Sequence, residues 1–152
     1  MAKFYRGDMV AGLGLLDKPV VLLCTTNAAL THERKLVMGR GAAEEFKRYF
    51  PGCDAQFGLM VSKLGSNYGV LVYQYQFQIA IGAFQVKCHW LEAATLSLIV
   101  ASTSILDRLA REVWSNWEIR LNFPGIGNGG LDIKDVKPLL LGLPDNVTIW
   151  RY

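Results

Sequence analysis

A chain of 152 residues has room for one domain, read here as residues 1–152, and that length can bury a core without disulfide or metal staples. An apolar fraction of 51% beside 19% charged residues excludes a disordered chain. The net charge of +3 is too small to argue for nucleic acid by charge alone and only permits an anionic ligand.

In chain order, residues 19–24 form a short continuous apolar run (Pro19, Val20, Val21, Leu22, Leu23, Cys24). Such a run predicts a strand buried on both faces. Residues 41–50 place Ala42, Ala43, Phe46 and Phe50 at helical spacing, and Pro51-Gly52 stops that helix. Residues 69–75 and 77–81 are β-branched and aromatic and suit strands. From Leu91 to Trp114, the positions Leu91, Thr95, Leu98, Ser102, Ile105, Leu109 and Val113 recur every three or four residues, which predicts one long amphipathic helix. Residues 119–121 and 147–150 read as two more strands, and between them Asp132 suits the cap of a short helix through Leu141, with Gly142 near its end. Alternating strands and helices give an α/β class, a three-layer α/β/α sandwich on a mixed central sheet.

Cys24, Cys53 and Cys88 lack metal-site spacing and form an odd set, the pattern of reduced thiols in a cytosolic protein. With only His32 and His89 beside them, no metal site is expected. Residues 1–8 contain no apolar leader run, and the stretch 96–106 is polar-interrupted and too short to span a membrane. The reading is a soluble protein with no membrane partner.

Two glycine-rich segments carry the chemistry. Val37-Met38-Gly39-Arg40-Gly41-Ala42-Ala43 runs straight into a helix, where unpaired backbone N–H groups can cradle a phosphate. Arg40 either assists there or points into solvent. Phe123-Pro124-Gly125-Ile126-Gly127-Asn128-Gly129-Gly130-Leu131-Asp132 joins a strand to a helix with more glycine than a turn needs, at the strand end where α/β sheets bind ligands. Each loop taken alone is also a plain strand–helix connection. Together they favour a diphosphate ligand and leave its identity open.

In order, these segments resemble the macrodomain family. Residues 37–42 followed by Phe46-Lys47-Arg48-Tyr49-Phe50-Pro51 are similar to its first ligand loop and helix, and residues 125–132 with Val136 to its second loop. Between them, Phe84-Gln85-Val86-Lys87-Cys88-His89-Trp90 resembles the lysine-bearing segment of one branch, the DarG-type DNA ADP-ribosyl hydrolase antitoxins and related phage proteins. The resemblance runs from about Gly7 to Trp150. It implies a catalytic Lys87 near the anomeric carbon, Asn27 approaching the distal ribose, Asp8 bonding the adenine amino group with Met9 beside it, and Thr26 bordering the site. The diphosphate would lie on Met38, Gly39, Arg40 and Gly41 and on Gly125, Ile126, Gly127, Asn128 and Gly129. No cofactor is implied, ADP-ribose being ligand or product, and the setting would be the cytoplasm of a bacterium or of a phage-infected host. Three departures stand out: Ile126 sits where a cysteine is common, Ile133 sits where a tryptophan is frequent, and the stretch 30–36 is longer than the family pattern.

Each residue also has a plainer reading. Lys87 by itself is a solvated surface lysine, activated only if burial lowers its pKa. His89 is either a proton shuttle or a histidine hydrogen-bonded at a helix start, and His32 fits solvent. Trp90, Trp114, Trp117 and Trp150 either stack on a base or, as aromatics of that size mostly do, serve the core. Asp8 by itself suits a turn. The leading expectation is an ADP-ribosyl hydrolase acting on DNA or protein. The alternative is a binding module or sponge for ADP-ribose or a related signalling nucleotide, without turnover. A dinucleotide reductase is disfavoured because the spaced Gly-x-Gly-x-x-Gly and its later acidic residue are missing.

Overall fold

A computed structural model describes residues 1–13 and 17–151. Its strands are β1 (Lys3–Arg6), β2 (Val20–Thr26), β3 (Val70–Gln76), β4 (Ile79–Gln85), β5 (Glu118–Asn122) and β6 (Val147–Arg151). Its α-helices are α1 (Gly41–Tyr49), α2 (Cys53–Leu64), α3 (Leu96–Glu112) and α4 (Ile133–Leu140), and a 3₁₀ turn covers Gly127–Gly129. The sheet runs β1-β6-β5-β2-β4-β3. Every neighbouring pair is parallel except the β3–β4 hairpin, so the sheet is mixed.

The apolar run of β2 is explained by its place at the centre. Val21 and Leu23 join the core shared with Ile99 and Leu106 of α3 and Val136 and Leu140 of α4. Val20, Leu22 and Cys24 join the other core, with Phe46 of α1 and Phe57 and Val61 of α2. Strand alternation thus feeds two layers of helix, and each buried leucine there contributes roughly 1.5–3 kcal/mol. Among the described residues, no helix is long and apolar enough to cross a membrane.

Four elements depart from the sequence reading. The long helix starts at Leu96, not 91, because the Thr95 side chain accepts a hydrogen bond from Leu98 N at 3.3 Å and caps it. The backbone just before is committed elsewhere: Thr95 N donates to Val86 O and Ala94 N to Gly129 O. Its buried face is Ile99, Ser102, Leu106 and Ala110, while Leu98, Ile105 and Leu109 are half-buried and Leu91 is exposed. Residues 77 and 78 form the β3–β4 turn, with Gln78 at φ 64°, so that strand begins at Ile79. Both β1, an edge strand with one half-buried residue, and α2 lack a clean apolar period; exposed Leu59 and Leu64 blur the α2 stripe.

The stretch after Asn27 closes on itself through an isolated antiparallel bridge between Leu30 and Leu36. Its exit strand crosses α2 at Gly58, where a Cβ would stand 2.1 Å from the Arg34 carbonyl oxygen and 2.8 Å from Lys35 Cα. Leu36 N then donates to the Asp54 carbonyl at 2.9 Å, which aims the chain at residues 37–41. Gly58→Ala must push that backbone off the helix. The expected cost is about 1–3 kcal/mol, read as a lower urea midpoint; an unchanged midpoint would show that the crossing is not tightly held.

Candidate functional site

All of the parallel strands end at one edge of the sheet, and the segments leaving them line a cleft of about 1080 Å³. The chain leaves β2 for β4 on one side and reaches β5 on the other. This reversal of direction opens a crevice at the carboxyl ends of α/β sheets. The β2–β5 ladder stops at the pair Leu23–Leu121. Beyond it Asn122 spans the gap: its Oδ1 accepts from Thr25 N at 2.8 Å and its Nδ2 donates to Thr25 Oγ1 at 2.9 Å.

On one wall, Met38, Gly39, Arg40 and Gly41 lead into α1. The cap position, Arg40, makes no side-chain cap hydrogen bond, so the first-turn N–H groups of Gly41, Ala42 and Ala43 border the cleft with their partial positive charge available. The second loop meets the first: a Cβ on Gly41 would lie 3.1 Å from Asn128 Nδ2. Gly129 is pressed against Ala94, whose Cβ is 3.0 Å from where a Gly129 Cβ would be. Gly39 differs, since a Cβ there would meet nothing within 4 Å and its φ is not positive. The protein's own packing does not demand glycine at that position.

At the β1 end, Asp8 Oδ1 accepts from Val10 N at 2.9 Å and Oδ2 accepts from the Tyr49 hydroxyl at 3.3 Å. The Asp8 charge and that hydrogen bond raise the Tyr49 pKa. Met9 is buried, and its carbonyl accepts from Arg120 Nη1 at 2.8 Å. Arg120 in turn pairs with Glu118 at 2.9 Å and lies 5.0 Å over the Trp150 ring.

At the β2 end, Asn27 is 6% exposed. Its Nδ2 donates to the Val37 carbonyl at 3.1 Å and its Oδ1 accepts from Ala29 N at 2.9 Å, so its amide holds the entry to the first loop. The Tyr68 hydroxyl donates to the Asn27 carbonyl at 2.6 Å. With that proton spent, Thr26 is the donor in the bond between the Thr26 and Tyr68 hydroxyls. Burial raises the Tyr68 pKa and keeps the phenol neutral.

Lys87 follows β4. Its ammonium donates to the Trp90 carbonyl at 3.3 Å. Its pKa is lowered, first by burial and then by the Arg40 charge, with Glu92 opposing. The fully buried Gln85 sets its backbone: Nε2 donates to the Lys87 carbonyl at 3.3 Å and to the Ser66 carbonyl at 2.6 Å, and Oε1 accepts from Gly69 N at 3.0 Å. Ser102 of α3 donates to the Gln85 carbonyl at 2.7 Å.

No protein-family model matches the chain. A solved structure, the macrodomain of Mycobacterium tuberculosis DarG, superposes with a TM-score of 0.81 at 25% identity, covering 100% of this chain and 98% of that one. The chain is a macrodomain of the DarG type. Its curated relatives include the DNA ADP-ribosyl glycohydrolase of the same organism, 32% identical over 117 residues, which are 72% of this chain and 33% of the relative. This macrodomain therefore spans about a third of that protein's length. The Thermosipho africanus DarTG structure in complex with ADP-ribose shares the fold, with a TM-score of 0.74 at 19% identity over 90% of this chain and 39% of that one.

The macrodomain brings every residue named from its sequence to this one cleft: Asp8, Met9, Thr26, Asn27, residues 38–41, Lys87 and residues 125–129. Trp90 and Trp150, which the sequence leaves between base stacking and the core, also line it, as do Asn122 and Tyr49, which the sequence reading gives no role; Gln85 and Ser102 act from behind. His89 lies in a turn and not at a helix start, because Thr95 caps the helix; its Nδ1 accepts from Leu91 N at 3.1 Å. Among the described residues no cluster of His, Cys, Asp or Glu could hold a metal ion.

Asn122→Ala removes both bonds across the β2–β5 gap and leaves Thr25 N without its acceptor. A loss of about 1–3 kcal/mol is expected from urea unfolding; wild-type stability would mean that the gap is held by other contacts.

Proposed function

We propose that this macrodomain binds ADP-ribose and hydrolyses the bond joining it to a base of DNA. The observation that carries the reading is the convergence on one cleft of the bare start of α1, the loop 125–129 and the Lys87 ammonium. Its size, about 1080 Å³, suits a dinucleotide-sized ligand. The relatives' names, a DNA ADP-ribosyl glycohydrolase and an ADP-ribose complex, support the ligand and the reaction class.

The diphosphate would sit between the two loops, where backbone N–H groups offer hydrogen bonds at no side-chain entropy cost. Asp8, with the Tyr49 hydroxyl on one oxygen, would take the adenine amino group, and the distal ribose would reach Asn27 and Lys87. Binding the remote diphosphate then fixes the anomeric carbon against the lysine. Water supplies the oxygen that bonds to that carbon as the carbon–base bond breaks, and the base leaves with a proton. Lys87 acts through its amine, which its lowered pKa makes neutral at a lower pH than an ordinary lysine. No metal or cofactor enters this scheme.

Lys87→Ala should abolish release of ADP-ribose from an ADP-ribosylated oligonucleotide while the Kd for ADP-ribose stays within a few-fold of wild type. Because the folded-state pKa is lowered, wild-type turnover should rise with pH and level off below the ordinary lysine range. Arg40→Gln, by removing a repelling charge, should move that limb to higher pH. Tight binding without turnover by the wild-type protein would leave a binding module in place of an enzyme.

Gly39→Ala supplies an independent check on where the ligand lies. The added methyl meets no protein atom within 4 Å, so the urea midpoint should stay put while ADP-ribose affinity, measured by calorimetry, falls about ten-fold or more. Unchanged affinity would place the diphosphate away from this loop.

A further inference from the structure

The segment 86–95 borders the cleft through Val86, Lys87 and residues 90–93 and is pinned at both ends. Ala28 N donates to the Cys88 carbonyl at 2.9 Å, Thr95 N to Val86 O at 3.0 Å and Ala94 N to Gly129 O at 2.9 Å. Its tip is a tight turn in which Glu92 N donates to the His89 carbonyl at 3.0 Å. At that tip Trp90 is 41% exposed and Leu91 71% exposed, and both border the cleft. A tryptophan held in water on a pinned turn contributes little to the core, so its exposure calls for another use.

We infer that Trp90, backed by His89, is the surface on which the base bearing the ADP-ribosyl group stacks, and that it favours a base over other acceptors. This rests on the proposed function and assigns its acceptor end. Two observations place the ring there. Trp90 is joined to the reacting end through its own carbonyl, which holds the Lys87 ammonium at 3.3 Å. The rings of His89 and Trp90 stack at 5.5 Å and 26°, so one face of the indole is taken and one planar partner can be received on the other. The other cleft-lining tryptophan, Trp150, is already engaged by Tyr5 at 4.9 Å and Arg120 at 5.0 Å.

The neighbours fit an uncharged planar group. Leu91 and Ala93, both apolar, border the same wall. His89 accepts at Nδ1 from Leu91 N, which leaves Nε2 as the ring's donor. An aromatic side chain under a single-stranded base is sequence-tolerant, and its loss costs about ten-fold to a hundred-fold in affinity.

The test uses Lys87→Ala protein, in which the substrate survives, and two probes: free ADP-ribose and a single-stranded oligonucleotide carrying one ADP-ribosylated base. The Lys87→Ala protein should bind the oligonucleotide at least several-fold more tightly than ADP-ribose. Adding Trp90→Ala should weaken the oligonucleotide about ten-fold or more and change the ADP-ribose Kd less than about two-fold, and Trp90→Phe should restore most of the difference. Equal weakening of both probes, or none for the oligonucleotide, overturns the stacking role and leaves the ADP-ribose site standing. Failure to bind ADP-ribose at all sinks the proposed function and this inference with it.

Discussion

The separation of β2 from β5 at the carboxyl edge is the constraint on which the site depends. Parallel strands that stay paired to their ends leave no room between them. Here the ladder stops at Leu23–Leu121, and the freed backbone of Thr25 needs partners. Asn122 supplies them from its side chain. The strands can therefore diverge without stranding polar groups, and the loops that follow them face each other across a cleft.

The remaining polar groups near the cleft work as supports. Gln85 uses both ends of its amide to tie the Lys87 carbonyl to the turn 66–69, and Asn27 uses its amide to hold the first loop. Buried amides satisfied in this way fix a backbone more firmly than apolar packing, since slippage would leave an unpaired group in a low dielectric. The lysine itself is left with a single carbonyl acceptor and a nearby arginine. A rigid frame thus presents one poorly stabilised cation.

The sequence made the two glycine-rich loops and the lysine segment legible because each is local: neighbouring residues spell out a backbone that must bend or come close to a ligand. The β2 run was legible for a similar reason, since burial on both faces forbids polar residues. The rest depends on partners far along the chain. Asn122 reads as an unremarkable residue after a strand until the end of the β2–β5 ladder is known. The start of α3 was misplaced because the apolar period continues to Leu91, while Ala94 and Thr95 are claimed by Gly129 and Val86. For Trp90 the sequence leaves base stacking and core burial open, and the pinned turn puts the ring partly in water. Among the site residues the sequence gives position; the supports behind them come from the fold.

The Leu30–Leu36 bridge has a consequence for how such a chain can change. It closes residues 31–35 into a side loop, and the hydrogen bond from Leu36 N to the Asp54 carbonyl restarts the path to Met38 from a fixed point on α2. Each doubling of a loop's length adds only about 0.6 kcal/mol of closure entropy. Chain length and ligand geometry are thereby uncoupled. Residues added or removed at the tip 31–34 would therefore leave the spacing of residues 37–41 from the rest of the cleft unchanged.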